Sequence, residues 1–387
     1  MSDGSDQQVE RRAAPAPQRP RKLRVHRLGR VEYGDGLRLM EGFARALKER
    51  VLREDVLLLL EHPPVVTLGR GADDSNLVFP REALVARGVD VHETSRGGDV
   101  TFHGPGQLVA YPIFDLNPDW RDVHRYVSAL EESVILTCAE FGVTAFRIQG
   151  WRGVFVGDAG KPRKIAAVGV HLSHWISTHG LALNVNTDLS HFQLIVPCGI
   201  SSKDAGVTSL AQETGRPISM RDVEGALVRH FSTLFGATPR ERRPDRRTVS
   251  ASVLRKSDKG VEALLLFRHP HRGGFWQPVT GTVEQGETPI QTAHRELIEE
   301  TGIVGLTPID LNYKHAFAFE GRGRPMPRVF EETAFCARVE GDPRVILDNR
   351  EHEKHQWLPL DEAVEIVPHL GLKKGMRLAK ARLFPEG

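Results

Sequence analysis

Apolar positions fall into two long patterned stretches separated by one short charged segment. From Leu23 the chain turns globular, and Leu37, Met40, Phe43, Ala44 and Leu47 recur at helical spacing, predicting a helix over Tyr33–Arg53. Val56–Leu60 is an unbroken apolar run of strand length, ended by Glu61-His62-Pro63-Pro64. Val65–Leu68 predicts a further short strand before the loop at Gly69-Arg70-Gly71. Leu108–Phe114 reads as a strand and Trp120–Phe141 as an amphipathic helix closed near Gly142. Strands over Val154–Val156, Ile165–His171 and Gly180–Val185 follow, and a helix over Met220–Phe235 ends the unit.

The pattern then lapses. Residues 237–247 hold two prolines, heavy charge and no large apolar side chain, which predicts an interdomain linker more readily than a nucleic-acid patch. Thr248–Leu254 and Glu262–Phe267 predict paired strands of a second unit running to residue 387. Residues 1–22 mix Ser, Gln, Pro, Ala and charge, and are predicted to be a disordered, solvated tail. The expected organisation is therefore tail 1–22, domain 23–236, linker 237–247 and domain 248–387, with no repeat relating the halves.

Composition narrows the function classes. A chain of 387 residues exceeds one core, and 40% apolar residues supply two. A net charge of +2 makes no global field that calls for nucleic acid or an anionic membrane. Three widely spaced cysteines (Cys138, Cys198, Cys336) make no disulfide framework and fit a reducing compartment. With no apolar run near membrane length and no apolar signal core, the cytoplasm is the expected location.

Two stretches carry candidate chemistry. Arg96-Gly97-Gly98-Asp99-Val100-Thr101-Phe102-His103-Gly104-Pro105-Gly106-Gln107 packs four glycines around an arginine and a histidine. It reads either as a loop whose backbone approaches a ligand or as a turn-rich hairpin. The other stretch is Gly281 to Ile303, in which Glu287 precedes a helix over Thr292–Thr301 capped by Gly302. On that helix Glu296, Glu299 and Glu300 stand at i, i+3 and i+4, so three carboxylates share a face. Like charges so spaced repel, and a hard divalent cation, Mg²⁺ or Mn²⁺, relieves this while clamping a diphosphate and helping to activate a water.

The second pattern resembles the Nudix hydrolase signature, with every position filled. The resemblance covers about residues 247–380 and implies an α/β/α sandwich that hydrolyses a small phosphorylated substrate, such as a nucleoside or pterin triphosphate or another diphosphate. It implies metal ligation by Glu296, Glu299 and Glu300, support from Glu287, orientation by Arg295, and loop and cap roles for Gly281, Gly286 and Gly302. Phe275-Trp276-Gln277-Pro278 offers an aromatic to a base, or Trp276 simply packs the sheet.

Among the cysteines, Cys138 and Cys336 read as core residues, whereas Val196-Pro197-Cys198-Gly199-Ile200 places Cys198 in a turn. A catalytic thiol needs a neighbouring cation or base, and Lys164 is one candidate among 52 basic residues. His171, His174 and His179 hint at zinc, but with no cysteine beside them pocket or structural roles are preferred.

Glu61-His-Pro-Pro64, the 96–107 stretch, Lys164-Ile-Ala-Ala-Val-Gly169, His179-Gly-Leu-Ala-Leu-Asn-Val-Asn186 and Pro197-Cys-Gly199 together resemble the lipoyl(octanoyl) transferases over about residues 23–240. That resemblance implies the α+β catalytic fold of biotin and lipoate protein ligases, a mixed sheet with helices packed on it, here in a two-domain chain. It implies two-step acyl transfer without a cofactor, with Cys198 as nucleophile and Lys164 lowering its pKa and moving its proton. Arg96, Gly97, Gly98, Asp99, Val100, Thr101, Phe102, His103, Ala167, Val168, Gly169, Gly180, Leu181 and Ala182 would line the acyl pocket. The implied partners are octanoyl-acyl carrier protein and lipoyl domains of 2-oxoacid dehydrogenase complexes and the glycine cleavage H protein. The ligases of this fold, which activate the acid with ATP, are the rival reading, as is a sensing or docking role for the second half.

Overall fold

The computed structural model describes residues 21–72, 74–158, 160–195, 206–319 and 325–385. Its largest layer is a mixed sheet. Across it run Ala237–Arg242, Arg21–Arg30, Asp55–Glu61, Gln107–Ile113, Ile176–Asn184, Arg163–Ser173, Val154–Val156 and Ala145–Phe146, with Gly206–Val207 alongside Arg163–Ser173. The first three are parallel to one another, while Gln107–Ile113, Ile176–Asn184 and Arg163–Ser173 alternate in direction. Asp55–Glu61 and Gln107–Ile113 are apolar on both faces because both are covered.

One face packs on helices Val123–Glu140 and Met220–Phe235, through Leu130, Val134, Leu227, Phe231 and Phe235. The other packs on helix Tyr33–Lys48, through Leu39, Met40, Phe43 and Leu47. A small sheet (Asp90–Glu93, Val65–Leu68, Val100–His103) stands beside the large one over its own apolar cluster.

Two boundaries differ from the sequence reading. Arg21 and Lys22 belong to the first strand rather than to the tail, and Arg21 is fixed by Asp55 at 2.7 Å and the Asp115 carbonyl at 2.6 Å. The remainder of the tail lies outside the described residues. The segment read as a linker forms strand Ala237–Arg242, parallel to Arg21–Arg30, and then begins strand Arg246–Ser257. As an exposed edge strand it tolerates Pro239 and needs no apolar face. Its charges are answered by ion pairs Arg27–Glu241 and Arg242–Glu54.

The second half is a seven-stranded mixed sheet centred on Arg246–Ser257 and Arg328–Arg338. Helix Pro289–Thr301 covers one face through Ala293 and Leu297, and helices Leu360–Ile366 and Leu370–Leu383 cover the other. The halves share a buried seam. Ala316 and Val329 join the cluster beneath helix Tyr33–Lys48, the Tyr313 hydroxyl lies 3.5 Å from Glu32 Oε1, and the Ala318 amide donates to Asp35 at 3.2 Å. Gly42 is needed at this seam, since a Cβ there would lie 2.7 Å from Pro327.

Candidate active sites

In the first half a cavity of about 320 Å³ opens between the small sheet and the large one, a size at the lower end of small-ligand sites. Its walls include Arg96, Gly97, Gly98, Asp99, Val100, Thr101 and His103 from the glycine-rich stretch. Ala167, Val168, Gly169, Gly180, Leu181 and Ala182 line it from the paired strands behind. Lys164 lies on the same wall. Close backbone approach requires the glycines: a Cβ on Gly180 would meet the Ala110 carbonyl at 2.3 Å, and one on Gly169 the Gly97 carbonyl at 2.9 Å.

Phe102 is the exception among the expected wall residues. Strand alternation turns its ring into the small sheet's core, stacked on His191 at 4.8 Å. The Gly97 amide is also unavailable to a ligand, because it donates to the Val170 carbonyl at 3.0 Å.

The cavity's two histidines are held neutral. His103 Nδ1 donates to Gln107 Oε1 at 2.7 Å, while the Gln107 amide donates to Asn184 Oδ1 at 2.9 Å and the Phe102 carbonyl at 3.2 Å. Asn184 in turn donates to the Thr208 carbonyl at 2.9 Å, and the Thr208 amide donates to the Lys164 carbonyl at 3.0 Å. A buried polar rail thus runs from the glycine-rich stretch to the strand that carries Lys164.

Burial pushes His103 down to about 3, and burial together with Arg96 takes His179 to about 3. His62, behind them between the Val31 carbonyl and the Tyr111 hydroxyl, is pushed by burial to about 4. Arg96 is buried, with Nη2 donating to the Thr67 carbonyl at 2.7 Å and the Thr67 hydroxyl at 2.8 Å. Lys164 has no ion pair among the described residues, and burial lowers its pKa. Its Nζ lies 5.4 Å from the centre of the Phe155 ring.

Cys198 lies outside the described residues. The chain on either side of its segment is described, and Ile195 and Val207 both line the cavity. Cys138 and Cys336 are buried core thiols pushed up to about 12 and about 11 by burial. The three histidines weighed for zinc do not converge: His171 meets Arg70, His174 meets Ser173, and His179 meets Thr94 and Ser95.

In the second half the acidic helix runs Pro289–Thr301, begun by a Thr288/Gln291 capping box and ended by Gly302 at φ +66°. Arg295 organises the carboxylates. It donates to Glu287 through Nε at 2.9 Å and Nη2 at 3.0 Å, and through Nη1 to Glu296 at 2.8 Å and Glu299 at 3.0 Å. Gly281 is obligatory beneath it, since a Cβ would fall 2.1 Å from the Glu296 carboxylate.

Arg295 and the Thr292 hydroxyl hold Glu287 down at about 2. Burial and the neighbouring Glu300 push Glu296 up to about 7, and burial raises Glu300. Buried, mutually repelling carboxylate oxygens are a hard-donor set that fits a divalent cation. The three helix glutamates are not gathered at ligand distance, however. Arg295 draws Glu296 and Glu299 towards itself, while Glu300 accepts from the Thr280 amide at 3.2 Å and faces His352, with Nε2 3.1 Å from Oε1. Glu300, Glu351 and His352 instead form the group whose ligand atoms lie within 4.8 Å of one another. Sequence reasoning missed Glu351 and His352 because no fixed spacing links them to the helix. Trp276 packs edge-on to Phe267 at 5.1 Å, beside the apolar cluster of the last two helices.

Residues 32–232 match the lipoyl protein ligase A/B catalytic domain family, and residues 244–385 the NUDIX domain family. The chain therefore belongs to the lipoyl protein ligase A/B catalytic family and carries a NUDIX domain behind that catalytic unit. It is 50% identical over 361 residues to the octanoyltransferase of Myxococcus xanthus, an alignment spanning 93% of this chain and 99% of that one. The alignment runs through both halves, so the fusion is shared. Octanoyltransferases of this kind place the chain among acyltransferase enzymes.

Two solved structures are similar to one half each. One is the bipartite lipoate protein ligase studied with its E2 lipoyl domain from Thermoplasma acidophilum (18% identity, TM-score 0.46, 58% of this chain and 86% of that one). The other is a C. elegans Ap4A hydrolase (26% identity, TM-score 0.31, 36% and 97%). No described helix is long and apolar enough to cross a membrane.

Proposed function

We propose that the first half transfers octanoyl from octanoyl-acyl carrier protein to a lysine of a lipoyl domain through an acyl-cysteine, needing no cofactor. One observation carries this reading. A lysine whose charge is disfavoured by burial stands on the wall of a cavity whose histidines are uncharged, and both flanks of the Cys198 segment line that cavity.

In the first step the Cys198 thiolate attacks the thioester carbonyl. The bond to the carrier's sulfur breaks, and the carrier leaves as its thiol with a proton from Lys164. In the second step the incoming lysine amine attacks octanoyl-Cys198. The carbon–sulfur bond breaks, the amide forms, and the proton lost by the amine returns to Lys164. Cys198→Ala should abolish both the mass shift of the acylated protein and the transfer, with no ATP in the assay. An adduct that persists in this variant, or a strict need for ATP, refutes the scheme; the latter would favour a ligase.

The second half is proposed to hydrolyse a small diphosphate-containing substrate with a divalent metal. Glu296, Glu299 and Glu300 would hold the ion once it displaces Arg295 from the first two, with Glu287 keeping Arg295 in place. The metal would polarise the phosphate and activate a water. What favours turnover over a mere docking role is the cost of keeping buried, repelling carboxylates at Glu296 and Glu300. Phosphate or pyrophosphate release from a nucleotide panel with Mg²⁺, lost in Glu299→Gln, is the expected result. No release from any member would leave the docking role.

A further inference from the structure

The first-half cavity has an open end and a closed one. Gly150 and Arg152 on its rim are exposed, whereas Tyr33 and Tyr111, which line it from helix Tyr33–Lys48 and strand Gln107–Ile113, are buried. Strand pairing fixes the distance between the ends. Ala166 pairs with Leu183, and Asn184 with Gln107, so Lys164 stands at the Gln107 end of the wall. From Gln107 to Tyr111 is four strand steps, about 13 Å at roughly 3.3 Å each.

Both tyrosine rings are held rigidly. The Tyr111 hydroxyl bonds His62 Nε2 at 2.8 Å, and the Tyr33 hydroxyl bonds Thr94. The Tyr33 ring packs edge-on to His62 at 5.1 Å and against His92 at 5.0 Å. Behind them Gly36 leaves no slack, since a Cβ there would lie 2.9 Å from the His62 ring. The first turn of the helix is itself braced, because Asp35 accepts from Arg38 at 2.7 Å and from the Ala318 amide of the second half at 3.2 Å.

We propose that the Tyr33 ring, backed by Tyr111, is an end-stop that limits the acyl chain to about eight carbons. The substrate class rests on the acyl-transfer reading; the stop is argued from the cavity. Tetrahedral chains of bonds of about 1.5 Å advance roughly 1.25 Å per carbon, so extended octanoyl spans about 9 Å and dodecanoyl about 14 Å. Eight carbons fit along the wall with room for a ring at its end, and twelve overrun it. A shorter chain forgoes about fourfold in affinity per missing methylene. A longer one must push aside rings that are fixed from behind, which overpacks the site.

The test offers octanoyl-, decanoyl- and dodecanoyl-acyl carrier protein to the full chain and compares kcat/KM, with calorimetric binding of octanoate, decanoate and dodecanoate alongside. The unaltered chain should favour octanoyl over dodecanoyl by at least about tenfold in both measurements. Tyr33→Ala should erase that preference, and Tyr33→Leu, which keeps an apolar side chain, should reduce it. Tyr33→Phe keeps the ring and should keep the preference, whatever happens to the rate. An unaltered chain that takes dodecanoyl as well as octanoyl overturns the proposal whether or not the variants fold. An unchanged preference in folded Tyr33→Ala or Tyr33→Leu does the same, as does Tyr33→Phe shifting as far as Tyr33→Ala. Octanoate preferred over dodecanoate, with no acyl adduct from any carrier, upholds the stop and refutes the transfer; adducts formed equally from all three carriers do the reverse.

Discussion

The two candidate sites solve opposite electrostatic problems. Around the cavity, His62, His103 and His179 are kept uncharged by burial, and Lys164 is pushed in the same direction. Around the acidic helix, charge is concentrated: one arginine touches three glutamates, and a fourth glutamate faces a buried imidazole. The contrast follows from the chemistry each site suits. An acyl chain and a thioester gain from dry, neutral walls, and a low-polarity site eases deprotonation of an ammonium. A diphosphate brings its own negative charge and needs a cation, so the protein supplies surplus carboxylate to hold one. A single chain keeps both because they are built on separate sheets, which among the described residues meet at the seam beneath helix Tyr33–Lys48.

The sharpest way to break this comparison is Lys164→Ala. It should slow octanoyl transfer by roughly 10²–10⁴ in single-turnover assays while the circular dichroism spectrum is kept. An unchanged rate would mean the neutral wall has no part in proton transfer.

On the charged side, Gly281→Ala places a methyl group where Glu296 now sits. Metal-dependent hydrolysis should fall by about 10–100-fold, the scale set by disturbing a group that orients metal ligands, with octanoyl transfer unaffected. Equal loss of both activities would show that the sites are not independent.

Acidification should discriminate more gently. The unfolded chain binds protons on His62, His103 and His179 near pH 6.5, whereas the folded chain binds them only near pH 3 to 4. Between those values the unfolded state holds more protons, so stability falls as pH falls, by up to about 1.4 kcal/mol per pH unit for each histidine. Asp55, pushed up to about 6 by burial, and Glu296 and Glu332, each pushed up to about 7, oppose them with one proton apiece over part of the window, while His26 and His315, lowered to about 4, add to the histidine effect. Denaturant unfolding at pH 7 and pH 5, with ¹⁵N spectra of the imidazoles, reads the effect. Protonated rings in the folded chain at pH 6 would contradict it.

The smallest effect belongs to the seam. Tyr313→Phe removes the long contact to Glu32 and should cost about 0.5–1.5 kcal/mol in the unfolding free energy. A change in either activity would reveal coupling across the seam.

Much of the fold was legible in the pattern. Helix Met220–Phe235 and strands Val65–Leu68 and Val154–Val156 lie where apolar spacing puts them, because each buries a face with a regular period. Strand Ala237–Arg242 was illegible for the opposite reason: exposed along nearly its whole length, it is held by backbone pairing and ion pairs, which leave no apolar signature. Phe102 shows the same limit at a site, since its neighbours in sequence line the cavity while alternation sends it to the core.

By itself the sequence determined two domains, the glycine-rich wall, the carboxylate helix with its cap, and the family resemblance, all of which rest on residue identity at short, fixed spacing. Only the tertiary structure decided which of many basic residues stand on the cavity wall, Lys164, Arg96 and Arg152 among them, and that its histidines are neutral. It also brought Glu351 and His352 to Glu300 across some fifty residues of chain. Those are matters of burial and of contacts between distant segments, which no local period records.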